Sequence, residues 1–294
     1  GERGGAGALG ALADDVRRAV DDGFASAWMW QVFGVDVLTA LAVAGSQAPG
    51  IELGTAVVPT YPRHPAALAQ QARTTSLALE GRLTLGIGLS HKIVIEDMYG
   101  YDYGRPVRHM AEYLSVLAPL LAGESAAFTG ETVRGNIGLS VANEGRVPLL
   151  LAALGPKMLR LAAERADGTV LWMTGPATVR EHIVPTITAA AQEAGRDVPR
   201  VVCMLPVCVT GDAERAREQA AKTYDMYGLL PSYRAMMDRE GVEGPQDLAI
   251  VGDEDAVAAR LEELSKAGVT DFVAAEFVPD DRRTRAFLKS VTGR

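Results

Sequence analysis

Seven short apolar runs, each followed by a stretch of helical periodicity, constrain this chain more than any other feature. They are "SAWMW" (Ser26 to Trp30), "IELGTAVV" (Ile51 to Val58), "LTLGIGL" (Leu83 to Leu89), "VPLLLAAL" (Val147 to Leu154), "GTVLWM" (Gly168 to Met173), "VVCMLPVCV" (Val201 to Val209) and "DFVAAEFV" (Asp271 to Val278). Continuous apolar runs of this length read as parallel strands buried on both faces. The helices between them carry start and stop signals: Pro65 and Pro156 at first-turn positions, and Gly168 and Gly268 at the ends. Strict β/α alternation over 294 residues leaves a doubly wound sheet or a (β/α)8 barrel. A doubly wound dinucleotide domain calls for GxGxxG after its first strand, and "GIGLSH" lacks the third glycine. The α/β reading is therefore a (β/α)8 TIM barrel with insertions, one domain over residues 1–294. Its eighth strand, the first in order, is expected upstream of Gly1, because Gly1 to Ala8 is loop-like. Phe128 to Arg146 reads as a hairpin insertion, and Tyr224 to Gly252 as a mobile excursion.

Composition removes several function classes. Twenty-nine Lys and Arg against 37 Asp and Glu give a formal charge of −8, without the basic footprint of a nucleic-acid binder. No apolar run approaches the length of a membrane span. Cys203 and Cys208 lie five apart on one strand, point to opposite faces and read as buried free thiols, which suits the cytoplasm.

In a barrel the chemistry gathers at the C-terminal strand ends, here "QVFG", "PTYPRHP", "SHK", "GPK" and "TGP". "LTLGIGLSHK" poses the sharpest question. Gly86 and Gly88 weaken a strand unless something approaches its backbone, and the run ends in Ser90 and His91, one of four histidines. His91 is a candidate proton-transfer group at the rim. His64, ahead of Pro65, reads equally as a helix cap. His109 and His182 fall on helical stretches and read as surface or packing residues. Trp172, near a strand end, is a candidate pocket residue.

The segments "IELGTAVVPTYPRHPAALAQQARTTSLALEGRLTLGIGLSH", "LLLAALGPKMLRLAAERADGTVLWM" and "VGDEDAVAARLEELSKAGVTDFV" resemble the luciferase-like monooxygenase family, in particular its deazaflavin-dependent branch, from about Ala11 to about Val278. The resemblance implies hydride transfer between coenzyme F420 and a small organic substrate. An FMN-dependent monooxygenase and a non-catalytic flavin-binding relative remain open as alternatives. It implies a non-prolyl cis bond from Ala56 to Val57 against the cofactor ring, cofactor contacts at Thr60, Tyr61, Gly88 and Ser90, and cofactor phosphate near Gly155, Pro156 and Lys157. It implies a substrate side formed by Trp30, Gln31, His64 and Trp172, Gly86 and Gly88 clearing space for the ring, and a homodimer. Where the family's sugar-phosphate dehydrogenases carry a catalytic Asp-His pair, this chain has Gln31 and Val32, which argues against sugar-phosphate oxidation. Neither a metal nor a nucleic-acid or membrane partner is expected.

Overall fold

A computed structural model describes residues 7–142, 145–278 and 282–292. Residues 1–6 lie outside the described residues, and so does any strand ahead of Ser26. The chain divides into two compact units, one running to Ala152 and including Arg165–Asp167, the other formed by Ala153–Glu164 and the remainder.

The first unit opens with helix α1 (Ala8–Asp21) and alternates from there: β1 (Ser26–Met29), α2 (Val37–Gly45), β2 (Glu52–Thr55), the two-residue β3 (Val58–Pro59), α3 (Pro65–Ala78), β4 (Leu83–Gly88), a π-helical turn (Val94–Met98) and α4 (Pro106–Leu121). A hairpin, β5 (Ala126–Thr129) and β6 (Arg134–Ile137), precedes β7 (Leu149–Leu151). Strands β1, β2, β4 and β7 are neighbours in that order and all parallel, while β3 adds to β4 through Val58 opposite Ile87. Every residue of β4 is buried, as a central parallel strand requires. The helix starts follow from local chemistry. Asp36 caps α2 by accepting from Thr39 N, and His64 caps α3 by accepting from Ala66 N ahead of Pro65.

The hairpin is shorter than the sequence suggests and begins earlier. One side chain holds it: the Glu112 carboxylate on α4 accepts from the backbone N–H groups of Glu131, Thr132 and Val133 and from the Thr132 hydroxyl. Desolvation is the largest single influence on this carboxyl and pushes its pKa up, but the four hydrogen bonds together outweigh it and draw the pKa down to about 2. Buried Arg73 ties the following loop to α4 by donating to the carbonyls of Leu120, Val141 and Ala142.

The second unit contains α5 (Pro156–Arg165, whose last residue joins the first unit), β8 (Gly168–Trp172), α6 (Pro176–Thr178), a second π-helical turn (Val179–Ile183), α7 (Val184–Glu193) and β9 (Arg200–Val209). It continues through α8 (Ala213–Leu229), α9 (Pro231–Glu240), α10 (Pro245–Leu248), β10 (Ile250–Gly252), α11 (Glu254–Lys266), β11 (Asp271–Glu276) and α12 (Arg282–Val291). The ten-residue β9 is its spine, pairing in parallel with β8, β10 and β11. Tyr224 to Gly252 is therefore not an irregular excursion. It holds the end of α8, two further helices and the missed strand β10, whose three residues fall below the length at which periodicity is legible. Glu240 anchors α9 by accepting from the N–H groups of Ala177 and Thr178. Cys203 and Cys208 are buried free thiols, and burial pushes Cys203 up to about 12. Among the described residues no helix is long and apolar enough to cross a membrane.

Candidate active site

The residues that come close to the β4 glycines are Thr55, Val57 and Ala152. The Ala56–Val57 bond is cis, and it lies between β2 and β3 where both run beside β4. A Cβ on Gly86 would stand 2.0 Å from the Thr55 carbonyl oxygen. A Cβ on Gly88 would stand 2.7 Å from Val57 Cγ2 and 3.1 Å from Ala152 Cβ. The Thr55 hydroxyl completes the junction, accepting from Gly86 N and donating to Gly86 O, both at 2.8 Å. Within the chain itself these glycines have a definite role. They clear room for the chain around the cis bond, and Gly88 acts as the backing against which the Val57 side chain is set.

Beyond β3 the chain builds an aromatic column. Tyr61 stacks on His109 of α4 with centroids 3.9 Å apart and planes within 8°, and on Tyr103 at 5.4 Å. Tyr113 meets the other edge of His109 at 5.6 Å and donates its hydroxyl to Arg63 O. Thr60 is fully buried, takes its N–H to Gly88 O and shares a 3.1 Å hydrogen bond between its hydroxyl and His109 Nε2. The Thr60 hydroxyl is thus committed to His109. The Tyr61 hydroxyl is the reverse case, since it is buried and has no hydrogen-bond partner among the described residues. Burial, with smaller contributions from Tyr103, Asp102 and Glu96, keeps it protonated far above neutral pH.

His109 was legible only as a packing residue, because nothing in "RPVRHMAEYLSVL" distinguishes a buried imidazole from an exposed one. Burial draws its pKa from 6.5 down to about 4, only weakly opposed by Glu112. The unfolded chain therefore binds a proton between pH 6.5 and 4 that the folded chain refuses, so stability falls as pH drops through that window. Urea unfolding of His109→Phe, which keeps the stack, should lose on the order of 2 kcal/mol less across that window than the parent protein. Equal slopes for the two proteins would remove His109 as the source.

Ser90 closes β4 in the left-handed region at φ 60, which is uncommon for any residue but glycine, and its carbonyl accepts from the Tyr103 hydroxyl at 3.3 Å. His91 follows, half-buried, with burial holding its pKa below the ordinary histidine value. Its carbonyl receives Val94 N and Ile95 N and so starts the π-helical turn. His64, expected on the substrate side, has both ring nitrogens committed to backbone, Nδ1 to Ala66 N and Nε2 to Arg134 O. It is a helix cap that also holds β6. Gln31 uses its amide oxygen to accept from Val37 N at the start of α2, leaving Trp30 part-exposed at the end of β1. Arg63 is no free surface charge either, since it pairs with Asp36 and donates to Gln71.

In the second unit, Gly155, Pro156 and Lys157 are exposed at the opening of α5, where free N–H groups and the helix dipole favour an anion. Trp172 lies edge-on to Tyr224 at 5.6 Å and to Tyr227 at 5.7 Å, and Tyr227 in turn meets Tyr233. Sequence reading found Trp172 but not the tyrosines of α8 and α9, because that stretch read as irregular.

Comparison with known proteins agrees with this architecture. A 5,10-methylenetetrahydromethanopterin reductase from Archaeoglobus fulgidus is 28% identical over 91% of this chain and 90% of its own length. A putative coenzyme F420-dependent oxidoreductase from Mycobacterium tuberculosis is 28% identical over 92% of this chain and 80% of its own. The solved coenzyme F420-dependent tetrahydromethanopterin reductase of Methanopyrus kandleri superposes with a TM-score of 0.81 at 24% identity, covering 96% of this chain and 94% of that one, so the α/β, TIM-barrel-like fold is shared. The profile of the luciferase-like monooxygenases matches residues 1–271, and the chain belongs to that family.

Proposed function

We propose that this protein is an oxidoreductase that moves a hydride between coenzyme F420 and a small organic substrate. The observation that carries the reading is that a relative named for coenzyme F420 matches over 92% of the chain, in a fold whose solved counterpart is named for the same coenzyme. The residues of the first unit fit such a group. The Val57 side chain is set by Gly88 beside a cis bond, the buried Tyr61 hydroxyl lacks a partner among the described residues, and the half-buried His91 is neutral at physiological pH.

When bound, the deazaflavin supplies the carbon that accepts or donates hydride. The chain does the rest. Val57 would stand against the bound group, the stack of Tyr61 on His109 holds the wall rigid, and the buried Tyr61 hydroxyl would donate to ligand. His91 manages the proton. In alcohol oxidation His91 would take the O–H proton on an imidazole nitrogen as the substrate gives up its hydride, and in carbonyl reduction it would return that proton. A cytoplasmic homodimer is part of the same reading, carried by the resemblance alone.

Fluorescence titration of the purified chain with coenzyme F420 and with FMN tests cofactor choice. The expected result is coenzyme F420 bound at least about tenfold tighter, a difference of about 1.4 kcal/mol. Tighter FMN with oxygen-dependent turnover would overturn the proposal in favour of a monooxygenase.

A further inference from the structure

The loops at the C-terminal ends of β1, β3 and β4 in the first unit have an unusual balance. They cover Trp30 to Asp36, Thr60 to His64 and Leu89 to Gly104, and contain two cationic residues, Arg63 and Lys92, against four acidic ones, Asp36, Glu96, Asp97 and Asp102, a formal charge of −2. Both cations already face a carboxylate. Arg63 is tied to Asp36 and Gln71, and Lys92 lies 3.6 Å from Glu96. Of the two histidines, His64 has both ring nitrogens committed to backbone, and burial holds the pKa of His91 below the ordinary histidine value.

What the same loops offer instead is apolar surface. After β1, Val32 is 58% and Phe33 63% exposed, and after β4, Ile93 is 52% and Met98 61% exposed, with Tyr99 and Tyr101 also in the open. Isolated exposed apolar residues need no explanation, but large ones concentrated in the loops that end the strands of a catalytic fold mark a place where ligand is expected. We infer that the first unit selects an uncharged substrate with an extended apolar body, held by Val32, Phe33, Ile93 and Met98, and rejects phosphorylated or carboxylated counterparts. The occupant is a substrate rather than a protein partner because Ile93 and Met98 follow Ser90 and His91 in the same loop, and Val32 and Phe33 stand past the C-terminal end of another strand of the same sheet. The inference depends on the proposed function only in placing the reacting carbon at these strand ends.

Isothermal calorimetry with 1-octanol and octyl phosphate, which share an apolar chain and differ in charge, tests it on the protein with and without coenzyme F420. Octanol is expected to bind at least about tenfold more tightly than octyl phosphate. The double variant Phe33→Ser, Ile93→Ser should weaken octanol at least about fivefold with its melting temperature and coenzyme affinity unchanged. Asp97→Lys, an exposed change, should narrow the gap about threefold by relieving repulsion of the phosphate. Equal or tighter octyl phosphate, failure of either ligand to bind, or octanol affinity untouched by the double variant would each overturn the inference. Absence of coenzyme F420 binding would instead remove the proposed function, while the octanol comparison on the coenzyme-free protein would still decide the polarity of the loops.

Discussion

Gly86→Ala is expected to destabilise the protein by about 3–5 kcal/mol, the range reserved for a named structural failure. The reason is what the new methyl group would meet. A flexible side chain could turn aside, but the atom 2.0 Å away is the Thr55 carbonyl oxygen, part of the backbone next to the cis bond. Relief requires β4 to separate from the end of β2, which would break both hydrogen bonds that Thr55 Oγ1 makes to Gly86. Gly88→Ala provides the control two residues along the same strand. Its methyl meets the Val57 and Ala152 side chains, so overpacking of about 1–2 kcal/mol is expected, with a folded protein remaining. Because Val57 must shift to admit it, the cofactor affinity of Gly88→Ala should fall about tenfold while its unfolding midpoint drops far less than that of Gly86→Ala. Urea midpoints for the two variants, with cofactor titration of the folded one, provide the comparison. A Gly86→Ala protein as stable as its parent would show that the junction between β2, β3 and β4 is looser than described.

Those two glycines also show how far the sequence could be read. Alternate glycines in a buried strand announced a close approach, and the physics of a missing Cβ made that safe to say. The identity of the approaching group was not available, since it depends on the path of a segment thirty residues earlier. The structure supplies Thr55, Val57 and Ala152 as the groups that a Cβ at these positions would meet. Long apolar runs such as Leu83–Leu89 and Val201–Val209 fixed the strands because a buried parallel strand has no polar face to obscure its pattern. Ile250–Gly252 escaped because three residues carry no periodicity, and the helices ahead of it were lost among prolines that mark their first turns as easily as they mark loops.

The candidate site divides along the same line. His64 was readable as a cap, because a residue before a first-turn proline has a local partner, the N–H of Ala66. His109 and Tyr103 were not readable, because their partners Thr60 and Tyr61 lie more than forty residues away and meet them only through packing. A histidine's neighbours, not its type, decide whether it titrates near neutrality. His109 and His91 show this within one unit: both are drawn down by burial, but one is closed into an aromatic column and the other stands half-buried at the end of β4.

His91→Gln should therefore separate proton management from binding. Glutamine keeps comparable length and a hydrogen-bonding end, so the variant should fold and should hold coenzyme F420 within about twofold of the parent. It cannot exchange a proton, and turnover with an alcohol or carbonyl substrate should fall about 10²- to 10⁴-fold, the usual contribution of a positioned acid–base group. The pH profile distinguishes this from a merely structural role. Burial lowers the pKa of His91, so the free base persists to more acidic pH than for an ordinary histidine. Alcohol oxidation by the parent should then hold its rate through neutrality and decline only on the acid side, below the usual pKa of 6.5. The residual rate of His91→Gln should lack that acid limb. Retention of both the rate and the limb would make His91 a wall residue and move the proton to another group at these strand ends, with the orphaned hydroxyl of Tyr61 first in line. Tyr61→Phe, which preserves the stack on His109 and removes only that hydroxyl, would then be expected to carry the loss instead.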